Sequence, residues 1–490
     1  PGDPRGTTVS KALRSLIALL AATILVAASC AAQGDDEGAS EEPGSTAEGE
    51  DDGESSGGDS GDGSFAELEE LCAPGDYTIA ADENAGSPDK LLLGVSNDRT
   101  SQIRPGLNKE MWDSSNAFVE WCNEQGGIGG LEIEIVDLDG KLLEVESAMA
   151  KACNGVFMMV GGGQVQDNLQ FTGKPDSDFH QCGLAEIPGF TVSPEKSESN
   201  GQIQPIPHPG DEVYAGWIRD TKELYPEDLE SMVELWGELP SMETIKNQTV
   251  ASLEAEGVEV AGDITYPVTG QSDWTPTAQQ VIATGATSMH FTGEPTNLGA
   301  VTKSLREQGW DGRLVLETNM YDQQFIDSAG VENAEGAVIK SAFHPLEEAA
   351  DWPATQQYMD IVNQYVDDPK FAVLGMQSFS AWLLFAAAAN DCAESNDGEL
   401  SRECVLKAAD AIDDWTAGGL HAPTDPGPEG GPSAVCNMLV TVNSDGEFER
   451  LYPEVGSDAD DGEGFSCHED GIAEVPENAG LGITSPDQPI

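Results

Sequence analysis

The sequence predicts an α/β fold of two doubly wound parallel-sheet lobes joined by crossing segments, and three observations carry that reading. Strand-like apolar runs alternate with amphipathic helical segments from residue 90 onward, the order that builds parallel sheets with right-handed crossovers. A polar, proline-rich passage, SNGQIQPIPHPGDE at 199–212, interrupts the rhythm before it restarts. At 490 residues the chain is too long for one ordinary core and fits two lobes with tails.

In the first lobe, KLLLGVSND (90–98) reads as a buried strand. LNKEMWDSSNAFVEWCNEQGG (107–127) is a helix with Met111, Ser115, Phe118, Val119 and Cys122 on one face, stopped at Gly126-Gly127. LEIEIVDLD (131–139) alternates as a strand, EVESAMAKACNG (144–155) is a helix, and VFMMVGGG (156–163) is a strand again. A helical or irregular stretch leads to Cys182, and GFTVSPE (189–195) reads as a short fourth strand.

The second lobe opens with a helix from Asp211. Strands follow at SMVELWG (231–237), VEVAGDITY (258–266), SMHFTG (288–293), RLVLETN (313–319) and GAVIKSAF (336–343), separated by helices at 242–257, from Trp274, at 297–309 and at 323–328. Pro345 marks another crossing. VLGMQSFSAWLLFAAAANDC (373–392) is apolar on nearly every face, as a fully buried helix should be, and SRECVLKAADAIDDW (401–415) is a further helix. CNMLVTVNSDGEFERLYPEV (436–455) gives two strands about Ser444-Asp445-Gly446. Such lobes meet in a cleft at the C-terminal edges of their strands, so the loops after the strands are where a ligand is expected.

Charge excludes one class of partner. With 89 Asp and Glu against 22 Lys and Arg the formal charge is −67, which repels phosphate backbones, so nucleic acid is not a partner. Residues 34–64 hold twelve of those acids and no Lys or Arg, the composition of a self-repelling tether. Most of the charge lies on the folded part and fits a salt-rich, marine or halophilic setting. At the other end of the tether, Arg5, Lys11 and Arg14 precede the fourteen-residue apolar stretch LIALLAATILVAAS (16–29), the layout of an export signal and shorter than a membrane span. Ala27, Ala28 and Ser29 before Cys30 resemble a bacterial lipobox, so Cys30 is the expected lipidation site. The chain opens on Pro1, so a start upstream is expected.

Eight cysteines remain: Cys72, Cys122, Cys153, Cys182, Cys392, Cys404, Cys436 and Cys467. An even set in an exported chain reads as disulfides, and the absence of any C-x-x-C argues against zinc. Topology favours neighbours in sequence: Cys72 with Cys122, Cys153 with Cys182, Cys392 with Cys404, and Cys436 with Cys467. The expected organisation is a signal peptide with lipobox (1–30), a disordered acidic Gly/Ser tether (31–66), the first part of lobe I (67–207), lobe II (208–345), return segments completing both lobes (346–454) and an acidic C-terminal extension (455–490).

The order KLLLGVSND, EQGGIGGLEIEIVDLD, VGGG, FTVSPE, DITYPVTGQSDWTPTAQQV and HFTGEPTNLGAVTKSLREQGWDG resembles the leucine-binding-protein type of periplasmic (type I) solute-binding proteins over roughly 90–454. That resemblance implies Venus-flytrap closure on a small solute, most simply a branched-chain amino acid or related amide, read by the permease of an ABC importer with separate ATPase subunits. It also implies a monomer without cofactor, lipid-anchored to the outer face of the cytoplasmic membrane. In amino-acid-binding relatives, hydroxyl-rich turns after the third and fourth strands hold the carboxylate, and an acidic residue of the second lobe holds the ammonium. Here the first turn reads Gly161-Gly162-Gly163-Gln164, leaving backbone N–H groups for an anion. Thr191 and Ser193 stand in the second turn. Second-lobe candidates are Trp236, Glu238, Thr292, Glu294, Glu317, Asn319 and Tyr321; Ser96, Asn97 and Asp98 end the first strand, where they equally suit a turn or cap.

Enzyme motifs are missing from the sequence. Residues 161–163 lack the G-K-[ST] of a P-loop, and no G-x-S-x-G or H-E-x-x-H occurs. DADDG (458–462) is out of register for an EF-hand, and the six histidines are scattered. Two alternatives to transport stay open at this point: a ligand sensor of the same fold, and an extracellular hydrolase.

Overall fold

Lobe I is a four-stranded parallel sheet in the order β2-β1-β3-β4, formed by β1 (Lys90–Asn97), β2 (Glu132–Asp139), β3 (Met158–Val160) and β4 (Glu186–Ile187). The computed structural model describes residues 63–81, 83, 87, 90–168, 178–428 and 431–482. The export segment, Cys30 and residues 31–62 of the expected tether lie outside the described residues. In β1, Leu91, Leu93 and Val95 are buried, as the apolar run requires of a central strand. Crossovers run through α1 (Lys109–Glu124) and α2 (Val145–Gly155), each presenting an apolar stripe to the sheet.

Lobe II has five parallel strands in the order β6-β5-β7-β8-β9, namely β5 (Ser231–Gly237), β6 (Glu259–Tyr266), β7 (Ser288–Thr292), β8 (Arg313–Leu316) and β9 (Val338–Ser341). The sheet continues antiparallel into β10 (Cys436–Val442) and β11 (Phe448–Tyr452), the hairpin that the Ser-Asp-Gly turn foretold. Helices α3 (Pro240–Ala255), α4 (Thr275–Thr284) and α5 (Pro295–Glu307) all carry proline in the first turn, where no backbone donor is needed.

The chain returns to lobe I through α6 (Pro353–Tyr365) and α7 (Val373–Ser395), which pack on α1. By length and composition α7 could cross a membrane, yet most of it is buried: Phe379 and Trp382 meet the Phe118 ring, and Trp382 Nε1 donates to Ser115 Oγ at 2.9 Å. It is a core helix. Helix α8 (Arg402–Asp410) follows it.

Four expectations change. GFTVSPE is not a strand; the fourth strand is Glu186–Ile187, and the backbone N–H groups of Val192 and Ser193 turn instead to the Asp167 carboxylate. No helix starts at Asp211: a short strand, Glu212–Tyr214, comes first, and the helix is Gly216–Leu224. Residues 63–66, counted with the tether, join the fold, since Phe65 is buried against Phe379. Part of the C-terminal extension is also built in: Ser466–Cys467 pairs with β10, and Ile472–Glu474 pairs antiparallel with Glu212–Tyr214.

All four disulfides join the partners that topology favoured, Cys72–Cys122, Cys153–Cys182, Cys392–Cys404 and Cys436–Cys467. Among the described residues the one grouping with metal-ligand spacing is Cys436, Asp461 and Cys467, and its two sulfurs are bonded to each other.

Candidate functional site

The strands of both sheets end at a shared cleft, which encloses a cavity of about 330 Å³. Its walls come from three sources. Lobe I supplies the loop after β1 (Arg104, Leu107, Asn108) and the 189–192 turn. Lobe II supplies the ends of β7, β8 and β9, and the proline-rich crossing contributes Ile206, Pro207 and His208. The lining is mostly apolar, with Phe190, Val213, Met242, Ile245 and Leu374 around a limited set of polar groups, the usual make-up of a small-molecule site.

Behind the lobe II wall a charged chain crosses the sheet. Glu234 on β5 accepts from His290 Nδ1 at 2.8 Å and from Thr292 Oγ1 at 3.1 Å. His290 Nε2 stands 3.3 Å from Glu317, and Lys340 Nζ on β9 lies 2.8 Å from the other Glu317 oxygen. These groups are adjacent because parallel strands in register place β5, β7, β8 and β9 side by side at their C-terminal ends. Burial alone would lower the imidazole, but Glu234 and Glu317 outweigh it and raise His290 to about 9, so it is a cation at neutral pH. Burial would raise Glu317, but Lys340 and His290 hold it at about 2. Burial lowers the lining His208 to about 4, aided by Lys340, leaving it neutral.

Two further ion clusters tie the lobes together. Lys370, in the crossing before α7, reaches Glu110 of α1 and Asp322 of lobe II, each at 2.8 Å. At the cleft mouth Arg104 of lobe I pairs with Glu294 at the start of α5 and donates to Asn297 Oδ1 at 2.9 Å. Burial pushes Glu294 up to about 7 against the pull of Arg104. Beside this pair, Leu142 and Val165 of lobe I pack on Met242, with Leu107, Trp236 and Leu239 around them. Charge and apolar contact together hold the lobes against each other.

Of the residues singled out from sequence, the cavity gathers Thr191, Thr292, Glu294, Glu317 and Asn319. The others sit elsewhere. Ser96 is buried under the glycine turn: a Cβ on Gly162 would lie 2.4 Å from Ser96 N, and one on Gly163 would meet the Phe190 ring at 2.4 Å. Asn97 donates to Asp137 at 3.0 Å, and Asp98 accepts from the backbone of Leu142 at 2.6 Å and Val165 at 3.0 Å. Gln164 donates to Leu138 O, Ser193 caps the short helix Pro194–Ser197, and Tyr321 is buried against Phe448. Trp236 lies in the cleft-mouth cluster, with its indole N–H on Asp263, and Glu238 is exposed beside Thr265. Sequence reasoning missed Arg104, Lys340, Lys370 and Glu110. For Lys340 a signal existed, since a lysine inside the apolar run GAVIKSAF is costly unless paired; Lys370 sits in a loop and gave none.

Ser380 Oγ and His421 Nε2 are 2.9 Å apart, but both are buried away from the cavity and bonded to Trp415 Nε1 and Ala422 O. They form an internal support for α7.

Residues 91–447 match the family model described as periplasmic binding protein. No curated protein sequence matches. Among solved structures, the leucine-binding protein LivK of Thermotoga maritima superposes with TM-score 0.58 at 15% identity, covering 74% of this chain and 98% of that one. A fatty acid ABC transporter substrate-binding protein of Thermomonospora curvata gives 0.60 at 14%, covering 79% and 95%. The branched-chain amino acid transporter substrate-binding protein LivJ of Streptococcus pneumoniae, in complex with isoleucine, gives 0.57 at 15%, covering 74% and 100%. The chain belongs to the periplasmic binding protein family, with the type I fold of the leucine-binding and ABC-transporter substrate-binding proteins.

Proposed function

We propose that the protein is the extracytoplasmic substrate-binding subunit of an ABC importer: it closes on one small organic solute and presents the closed form to a permease powered by separate ATPase subunits. The observation that carries this is the position of the cavity, walled by both lobes and the crossing passage, so that neither lobe could hold a guest alone. Its volume suits a solute of amino-acid size, and an amino acid or related amide is the predicted class. The protein binds and releases; it performs no chemistry on the guest.

Anchoring is proposed from the lipobox-like Ala27-Ala28-Ser29 before Cys30. A lipid there would keep the binding domain at high effective concentration near its permease. The test is thermal-shift screening of the intact, oxidised chain against amino acids, amides, ureas, polyols and sugars. Capture predicts that at least one solute stabilises the fold, by about 2.7 kcal/mol at a hundredfold excess over its Kd. No stabilisation by any solute would reject capture, and stabilisation by sugars alone would reject the predicted class.

A further inference from the structure

We infer that the cleft selects against carboxylates and takes an uncharged or cationic solute with an apolar body and hydrogen-bond donors. This rests on the solute-capture reading and narrows the ligand within it.

The first support is that the cations of the lining are already engaged. Lys340 is held by Glu317, Lys370 by Glu110 and Asp322, and Arg104 by Glu294. Glu212 adds a fifth lining carboxylate against those three cations. A carboxylate entering the cavity would find each of these three lining cations already paired and would meet more carboxylates than cations on the walls.

The second support lies in lobe I. Four backbone N–H groups beyond the strand ends, natural donors to an anion, are taken by buried carboxylates of the protein itself, and those of Gly161, Gly163 and Gly189 by backbone carbonyls. Asp98 accepts from Leu142 and Val165, and Asp167 accepts from Val192 at 2.8 Å and Ser193 at 3.0 Å. The anion positions are filled from within.

The third support is a set of buried polar atoms on the lining without a partner: Gln377 Oε1, Asn437 Oδ1, His208 Nδ1 and Asn108 Nδ2. Gln377 and Asn437 are 8% and 5% exposed. The two amide oxygens, Gln377 Oε1 and Asn437 Oδ1, accept, so the complementary guest brings N–H or O–H groups to them. Phe190, Ile206, Met242 and Ile245 would cover its apolar part.

The experiment is calorimetric titration of the intact, oxidised chain with compounds sharing one isobutyl body: 4-methylpentanamide, leucinol, leucinamide, leucine and 4-methylpentanoate. The amide, alcohol or cationic members should bind at least about tenfold more tightly than leucine and 4-methylpentanoate, a difference of about 1.4 kcal/mol. Solute extracted from natively purified protein and identified by mass spectrometry should likewise lack a carboxylate. In a Glu110→Gln/Asp322→Asn variant, Lys370 loses both partners and 4-methylpentanoate binding should rise about tenfold or more. Equal or tighter binding of a carboxylate by the unmodified chain, a carboxylate among extracted solutes, or a folded variant with no gain overturns the selectivity while leaving capture intact. No bound solute in either measurement overturns capture itself and this inference with it.

Discussion

Gly162 shows how the candidate site differs from the one its sequence suggested. The glycine run looked like a ligand loop, but its glycines are needed because the turn lies against Ser96 and Phe190. Gly162→Ala should therefore destabilise the fold by about 1–3 kcal/mol, as a Cβ 2.4 Å from a backbone nitrogen forces the turn away, with the loss read in urea denaturation. Lys196 makes a buried pair with Glu186, at 3.2 Å, and neighbours Asp167. Lys196→Met leaves those carboxylates buried without it and should cost about 3–5 kcal/mol, more than replacing the lysine and Glu186 together. His290 makes stability depend on pH. Its folded pKa, about 9, lies above the ordinary 6.5, so its contribution is fully present below pH 6.5 and is lost as pH rises through about 9. Glu317, held at about 2 against an ordinary 4.5, contributes above pH 4.5 and loses this as pH falls through about 2. The difference in urea midpoint between the parent and His290→Gln should accordingly narrow from pH 6.5 to pH 9; a constant gap would show that the imidazole is not charged. Thr191, Thr292, Glu317 and Asn319 were legible because they follow strands. Arg104 and Lys370 were not, because pairing across lobes is a property of the fold and leaves no spacing in the chain.

Elements were easier to read than residues. Apolar runs located β1 and the inner strands of lobe II, since buried parallel strands are near-continuous in apolar residues, while alternation located the edge strand β2. The fourth strand of lobe I was misplaced because Glu186 breaks the apolar pattern there, while the β-branched pair Thr191 and Val192 imitates one a few residues later. Helix α6 went unread between Pro345 and Val373, although Pro353 and the spacing of Ala354, Tyr358, Ile361 and Val362 mark it. The disulfides were legible because consecutive elements neighbour each other in an α/β lobe. They differ in the loop they close, 50 residues for Cys72–Cys122 and 12 for Cys392–Cys404. In the chain-entropy account the first contributes about 4 kcal/mol and the second about 3. Paired serine substitutions should therefore lower the denaturation midpoint more for Cys72/Cys122, and the reverse order would mean that native-state packing, not loop entropy, governs these links.

At the scale of the molecule, charge and closure decide behaviour. A formal −67 makes self-repulsion a large destabilising term at low ionic strength. Raising NaCl from about 0.01 M to 1 M shortens the screening length from about 30 Å to 3 Å, and the melting temperature should climb across that range. Closure sets the binding account. Arg104 with Glu294, Lys370 between Glu110 and Asp322, and the Leu142, Val165 and Met242 contact favour the closed form, and a guest with affinity for both walls shifts the balance further. Arg104→Ala removes the pairing with Glu294 across the lobes and should weaken solute binding through faster release, read as a higher dissociation rate constant. The most direct measurement is small-angle X-ray scattering of the intact chain with and without a saturating solute from the thermal screen: the radius of gyration should fall on saturation and recover on dialysis, whereas an unchanged radius at full occupancy would contradict inter-lobe capture.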